Sequence, residues 1–217
     1  MSDSKSKAIA IIRAEHRALG AVINNIKAVL QEVQAGRVAM DFKLFWAMVY
    51  YIDAFPDRLH HPKEDDWLFS RITTRTPLAD KLIEELQSQH QMEPQALARM
   101  RRDLGNYEAG VPGSLEALQT TVASYADFTW KHLRTEESEI LPLAEAHLLA
   151  SDWDAIADAF AQNADPLVGS ADNKLFDALF HDIVNRTPAP VSGGLNPHKS
   201  GGSKWRCKLA PVSGGHL

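Results

Sequence analysis

Cysteine is nearly missing from this sequence. One residue in 217, Cys207, excludes an intramolecular disulfide and any CxxC metal motif, and it suits a reducing cytoplasm. Long apolar runs are missing too. None approaches the roughly 20 residues that a membrane span needs. The opening stretch, MSDSKSKAIAIIRAEH, lacks a secretory pattern because charged residues soon interrupt its apolar part. Positive charge is not in excess: the net charge of -5 argues against a nucleic-acid-binding face. What remains is a chain long enough for one sizeable core plus an appendage.

Helical periodicity fills most of that length. Ile9, Ile12, His16, Leu19, Ile23, Ile26, Leu30 and Val33 recur at alternating steps of three and four, and Gly36 ends the pattern. A second helix starts at Asp41, a suitable N-cap, and turns Phe45, Val49, Ile52, Leu59, His60, Glu64 and then Trp67 or Leu68 inward. Pro56 and Pro62 predict either one kinked helix or two pieces nearly in line, Pro56 opening the second. Thr76 followed by Pro77 starts a third helix, whose stripe is Ile83, Leu86, His90, Leu97, Met100 and Leu104, kinked at Pro94. A fourth follows Ser114, with Leu118, Val122, Tyr125, Thr129, His132, Glu136, Ile140 and Leu143 in rhythm until Pro142 bends or ends it. Ser151 with Asp154 resembles a capping box for a short helix from Trp153 to about Gln162, and Asp172 to Val184 reads as another.

From Thr187 the periodicity is lost to Gly, Ser and Pro, and Lys199, Lys204, Arg206 and Lys208 stand without acids. The predicted organisation is therefore an all-α, antiparallel up-down-up-down four-helix bundle over 1–150, accessory short helices over 151–186, and a basic tail over 187–217.

Each long stripe carries one histidine at a core position: His16, His60, His90 and His132. Two have a glutamate four residues on, Glu64 and Glu136, which a helix stacks on the same face. Six ligating groups thus converge inside a narrow bundle. Buried unpaired carboxylates cost several kcal/mol or become protonated. A metal reverses that sign. Imidazole nitrogen with carboxylate oxygen suits iron, manganese or zinc, and carboxylates can bridge two ions. The sequence thus predicts a dinuclear site with positions left for a small ligand. The competing reading is a metal-free helical module held by satisfied core histidines.

Neighbouring residues are sorted by angle. His61 lies about 100° round the helix from His60, and the Pro62 kink can swing it inward. His61 and Tyr125 are candidates for a further ligand or for lining the pocket, as is Tyr50 or Tyr51. Glu15 and Glu137 adjoin ligand candidates but face away, as surface charge, and Glu139 is a candidate hydrogen-bond acceptor for an imidazole. His147, His181, His198 and His216 lie off the constellation.

The ordered set of His16, HHPKE (His60–Glu64), His90 and HLRTE (His132–Glu136) resembles the hemerythrin-like HHE cation-binding family over about residues 8–150. The resemblance implies a non-heme di-iron centre, oxo- or hydroxo-bridged, with His16, His60, Glu64, His90, His132 and Glu136 as ligands and the glutamates bridging. It implies a small diatomic or peroxide ligand: oxygen, nitric oxide or peroxide responses, or iron handling. Binding, sensing and enzymatic turnover of peroxide or nitric oxide would all use the same open site. The sequence departs from the oxygen carriers of the family on the third helix, where Leu86 and Pro94 flank His90 in place of a second histidine. The gap would fall to water, His61 or a tyrosine.

Overall fold

The computed structural model describes residues 3–163 together with 165, 167 and 168. Within them the chain is helical, with no strand, and no helix is long and apolar enough to cross a membrane. The first helix, α1 (Asp3–Gln34), ends in a Schellman turn. Arg37 N–H donates to the Glu32 carbonyl and Gly36 N–H to that of Val33, with Gly36 at φ +66°. Asp41 caps the next run, accepting from Leu44 N–H at 3.0 Å.

That run, α2 (42–75), is continuous but not uniform. Two stretches, Asp53–His60 and Glu64–Phe69, have the wider i→i+5 bonding of a π-helix. Pro56 sits inside the first of these and does not open a new helix. Proline removes a donor from the ladder, and the wide turn accommodates that loss without breaking the run. Thr76 and Pro77 begin a short 3-10 turn, Pro77–Ala79, from which α3 (Asp80–Glu108) runs through Pro94 without interruption. The fourth run, α4 (114–147), also carries a π stretch, Glu136–Ile140, and continues past Pro142 to His147.

A short helix, α5 (Ala150–Phe160), folds back on α1. Its cap is not the expected Ser151–Asp154 box. The Asp152 carboxylate accepts from Leu149 N–H at 2.9 Å, and it also pairs with Arg75 through contacts of 2.8 and 2.9 Å, which fastens α5 to the end of α2. The helix expected over Asp172–Val184 and the basic tail lie outside the described residues.

The four long runs form the antiparallel bundle, and their apolar faces make two separate cores. One holds Ile23, Ile26, Phe45, Met48, Ile52, Leu97, Met100 and Val122. The other, at the opposite end, holds Ile12, Leu68, Phe69, Ile72, Leu86, Ile140 and, from α5, Trp153, Ile156 and Phe160. Each stripe is apolar on both sides of its histidine, so the histidines and glutamates form one polar layer between two dry ones.

Candidate metal centre

All six expected side chains are buried in that layer, from 1% exposed at Glu64 and Glu136 to 7% at His90. They divide into two halves. His16 and His60 approach through their Nε2 atoms at 3.1 Å, and His90 and His132 do the same at 3.2 Å. The two carboxylates lie between the halves. Oε1 of Glu64 is 3.1 Å from His60 and 3.6 Å from His16, while its Oε2 is 3.6 Å from His90. Oε2 of Glu136 is 3.4 Å from His16, while its Oε1 is 3.2 Å from His132 and 3.9 Å from His90. Each glutamate therefore gives one oxygen to each pair of histidines.

His61 joins the second half. Its ring stacks on His90 at 4.4 Å between centroids, and its ligating atom falls within 4.8 Å of those of Glu64, His90 and His132. Phe69 also stacks with His90, at 5.8 Å between centroids. Tyr125 does not reach this group. Its hydroxyl donates to Glu93, one step further out. Tyr51 is buried but donates to Asp165 at 2.8 Å, and Tyr50 is exposed.

Behind the imidazoles stands an outer layer of acceptors. His60 Nδ1 meets Glu15 at 2.6 Å, His16 Nδ1 meets Glu137 at 3.1 Å, His90 Nδ1 meets Asp65 at 3.0 Å, and His132 Nδ1 meets Gln89 at 2.9 Å. This corrects the expectation that Glu15 is surface charge; Glu137 stays partly exposed, as expected, but its carboxylate reaches the His16 ring. Glu15 is buried, because α5 and the residues after it cover that flank of α1. Asn163 donates to both Glu15 oxygens, at 2.9 and 3.0 Å, and Phe160 packs edge-on against the His60 ring. Glu139 is exposed; Glu137 takes the position at His16 instead. Asp65, Gln89 and Glu93 were missed by the sequence reading. Glu93 had a signal: it fills the step between His90 and Leu97 on the α3 stripe.

The outer layer fixes the chemistry of the inner one. An Nδ1 facing a carboxylate or amide oxygen carries the proton, so each neutral ring turns its Nε2 lone pair inward. All four oxygens of Glu64 and Glu136 are buried without a hydrogen-bond partner. Lone pairs thus face lone pairs across gaps of 3.1–3.9 Å. Only added positive charge, as protons or as metal ions, makes such a cage favourable.

The electrostatics agree. Burial alone would lower the His16 imidazole, but its contacts with Glu137 and Glu64 outweigh this and carry it to about 9. Burial also opposes charge on His60, yet Glu64 and Glu15 raise it well above the ordinary value; His132 is raised against burial by Glu136. Glu64 is held well below the carboxylate range despite its burial, by His60 and His16. His61 is the exception, pushed well down by burial and by its neighbour His90. The site draws cations toward itself, and its donor set of imidazole and carboxylate suits first-row transition metals.

An antiparallel helical bundle with a buried histidine–glutamate layer defines a class, the cation-binding helical bundles. The chain belongs to one family within it: residues 7–144 match the Hemerythrin HHE cation binding domain. No curated protein and no solved structure shows significant similarity to the chain.

Proposed function

We propose that this chain is a non-heme di-iron protein that binds or senses a small ligand such as dioxygen, nitric oxide or peroxide. The observation that carries the reading is the division of each buried carboxylate between two pairs of imidazoles. In this reading His16 and His60 would hold one ion, His90, His132 and His61 would hold the other, and Glu64 and Glu136 would serve both. His61 fills the gap left by the absent second histidine of α3. Iron is favoured over manganese or zinc by the family, since the donors suit all three. Iron held there would supply a redox-capable Lewis acid for small ligands.

The chain's own residues do the rest. Glu15, Glu137, Asp65 and Gln89 orient four rings and fix their tautomers. The two apolar cores keep bulk water from both ends of the layer. The two halves are unequal: two imidazoles on the His16 side, three on the His61 side. The side with fewer donors is where a small ligand finds room. A cavity of about 10 Å³, enough for about one water, lies beside His16 and His60 on the flank that Glu15, Asn163 and Asp165 also line. The single cysteine makes the cytoplasm the setting we infer.

Protein purified aerobically without chelator should contain about two irons per chain, and reduced protein should change its visible absorption on addition of nitric oxide. Metal analysis finding no iron contradicts the reading. Turnover of peroxide or nitric oxide, in place of stoichiometric binding, would favour the enzymatic alternative.

A further inference from the structure

His61 belongs to a second group of ligating side chains. Asp57 and His61, four residues apart on α2, and Glu93 on α3 each bring a ligating atom to within 4.8 Å of the others. Nothing in the inner layer uses Asp57. The Nδ1 atom of His61 is buried and makes no hydrogen bond, although an oxygen of Glu93 is 3.1 Å away. The other four imidazoles of the layer all have a hydrogen bond on Nδ1. At that distance the oxygen must lie off the N–H direction. Two donors able to serve one ion thus stand side by side without bonding each other.

Glu93 is held in place, because its other oxygen accepts from the Tyr125 hydroxyl. The guanidinium groups nearest Asp57 are already engaged: Arg58 and Arg101 each bind Asp53 at 2.9 Å. Asp57 is partly exposed, whereas the inner layer is sealed, so this group stands between solvent and the Glu64, His90 and His132 group.

The geometry points to an outer divalent-cation site, formed by Asp57, Glu93 and His61 Nδ1, that captures a metal ion and passes it to the inner group sharing His61. A neutral imidazole presents one lone pair, so His61 serves the outer ion or the inner one, not both at once. The outer site is therefore a staging post. It stands on its own three residues; only the destination of the ion rests on the di-iron reading.

The test is the filling rate of the full-length, metal-free chain mixed with Co²⁺, followed by visible absorption, with the final ion count by metal analysis. Asp57→Asn should reach the same count as wild type but fill about tenfold more slowly. Asp66→Asn, the same charge change at an exposed position of α2, should fill at the wild-type rate. The proposal is overturned if Asp57→Asn fills as fast as wild type, or if Asp66→Asn slows filling equally. If wild type takes a single ion and Asp57→Asn takes none, the outer site stands and the di-iron reading fails.

Discussion

Stripping metal from this chain should lower its melting temperature by about 10–20 °C. A ligand that binds only the folded state adds about 2.7 kcal/mol when its free concentration is about 100 times Kd. Two ions at that saturation add about 5 kcal/mol. A domain of this size loses roughly 2–4 °C per kcal/mol, which gives the stated range. Part of the loss is recovered, because the empty cage takes protons in place of metal. Oε1 of Glu64, 3.1 Å from His60 and 3.6 Å from His16, then faces imidazolium groups. The shift should therefore fall nearer 10 °C below neutral pH and widen above it. Circular dichroism melts with and without a chelator, each sample assayed for metal, make the measurement. Glu136→Ala removes an oxygen from each half of the site and should abolish most of the chelator-dependent difference. Superimposable melts, with metal shown to be present before chelation and absent after, would refute the reasoning.

Three further outcomes are expected. The metal-free chain should lose stability as pH rises from about 6.5 toward 9. His16 is raised to about 9, so its contribution is complete below its ordinary value and disappears as pH climbs through the raised one; His60 and His132 act the same way, and His61, shifted down, opposes them below pH about 6.5. Urea titrations of chelated protein across that window check the sign, and the metal-loaded chain should lack the slope. Glu15→Ala should weaken metal binding by about 10–100-fold, because it frees the His60 ring and its tautomer; competition against a chromophoric chelator reads this directly. Gly20→Ala should cost about 1–3 kcal/mol, since the new Cβ would lie 2.6 Å from the Trp130 ring of α4; a thermal melt measures it.

The parts of this structure legible in the sequence are those set by regular helical geometry. The stripes through His16 and His132 follow the 3.6-residue period, so their inward direction could be read, as could the pairing of each histidine with a glutamate four residues on. His61 could not be placed that way. The π stretches Asp53–His60 and Glu64–Phe69 flank it, and each shifts the inward face from the register that a regular 3.6-residue period predicts. Glu15 was misread for another reason. Its direction around α1 was inferred correctly as away from the bundle axis, but that side is not solvent. The helix Ala150–Phe160 and Asn163 close over it, a contact between residues 148 positions apart that no local pattern announces. Glu93 lies on the α3 stripe, but its partner there, the Tyr125 hydroxyl, comes from another helix and leaves no mark in the local pattern.

The central claim is that two cations occupy the layer between the apolar cores. X-ray diffraction from iron-loaded crystals at wavelengths on either side of the iron edge tests it most directly. The account predicts two anomalous peaks, one beside His16 and His60 and one beside His90 and His132, with the carboxylates of Glu64 and Glu136 between them. A single peak, or none in a layer whose six side chains keep the positions described, would contradict it.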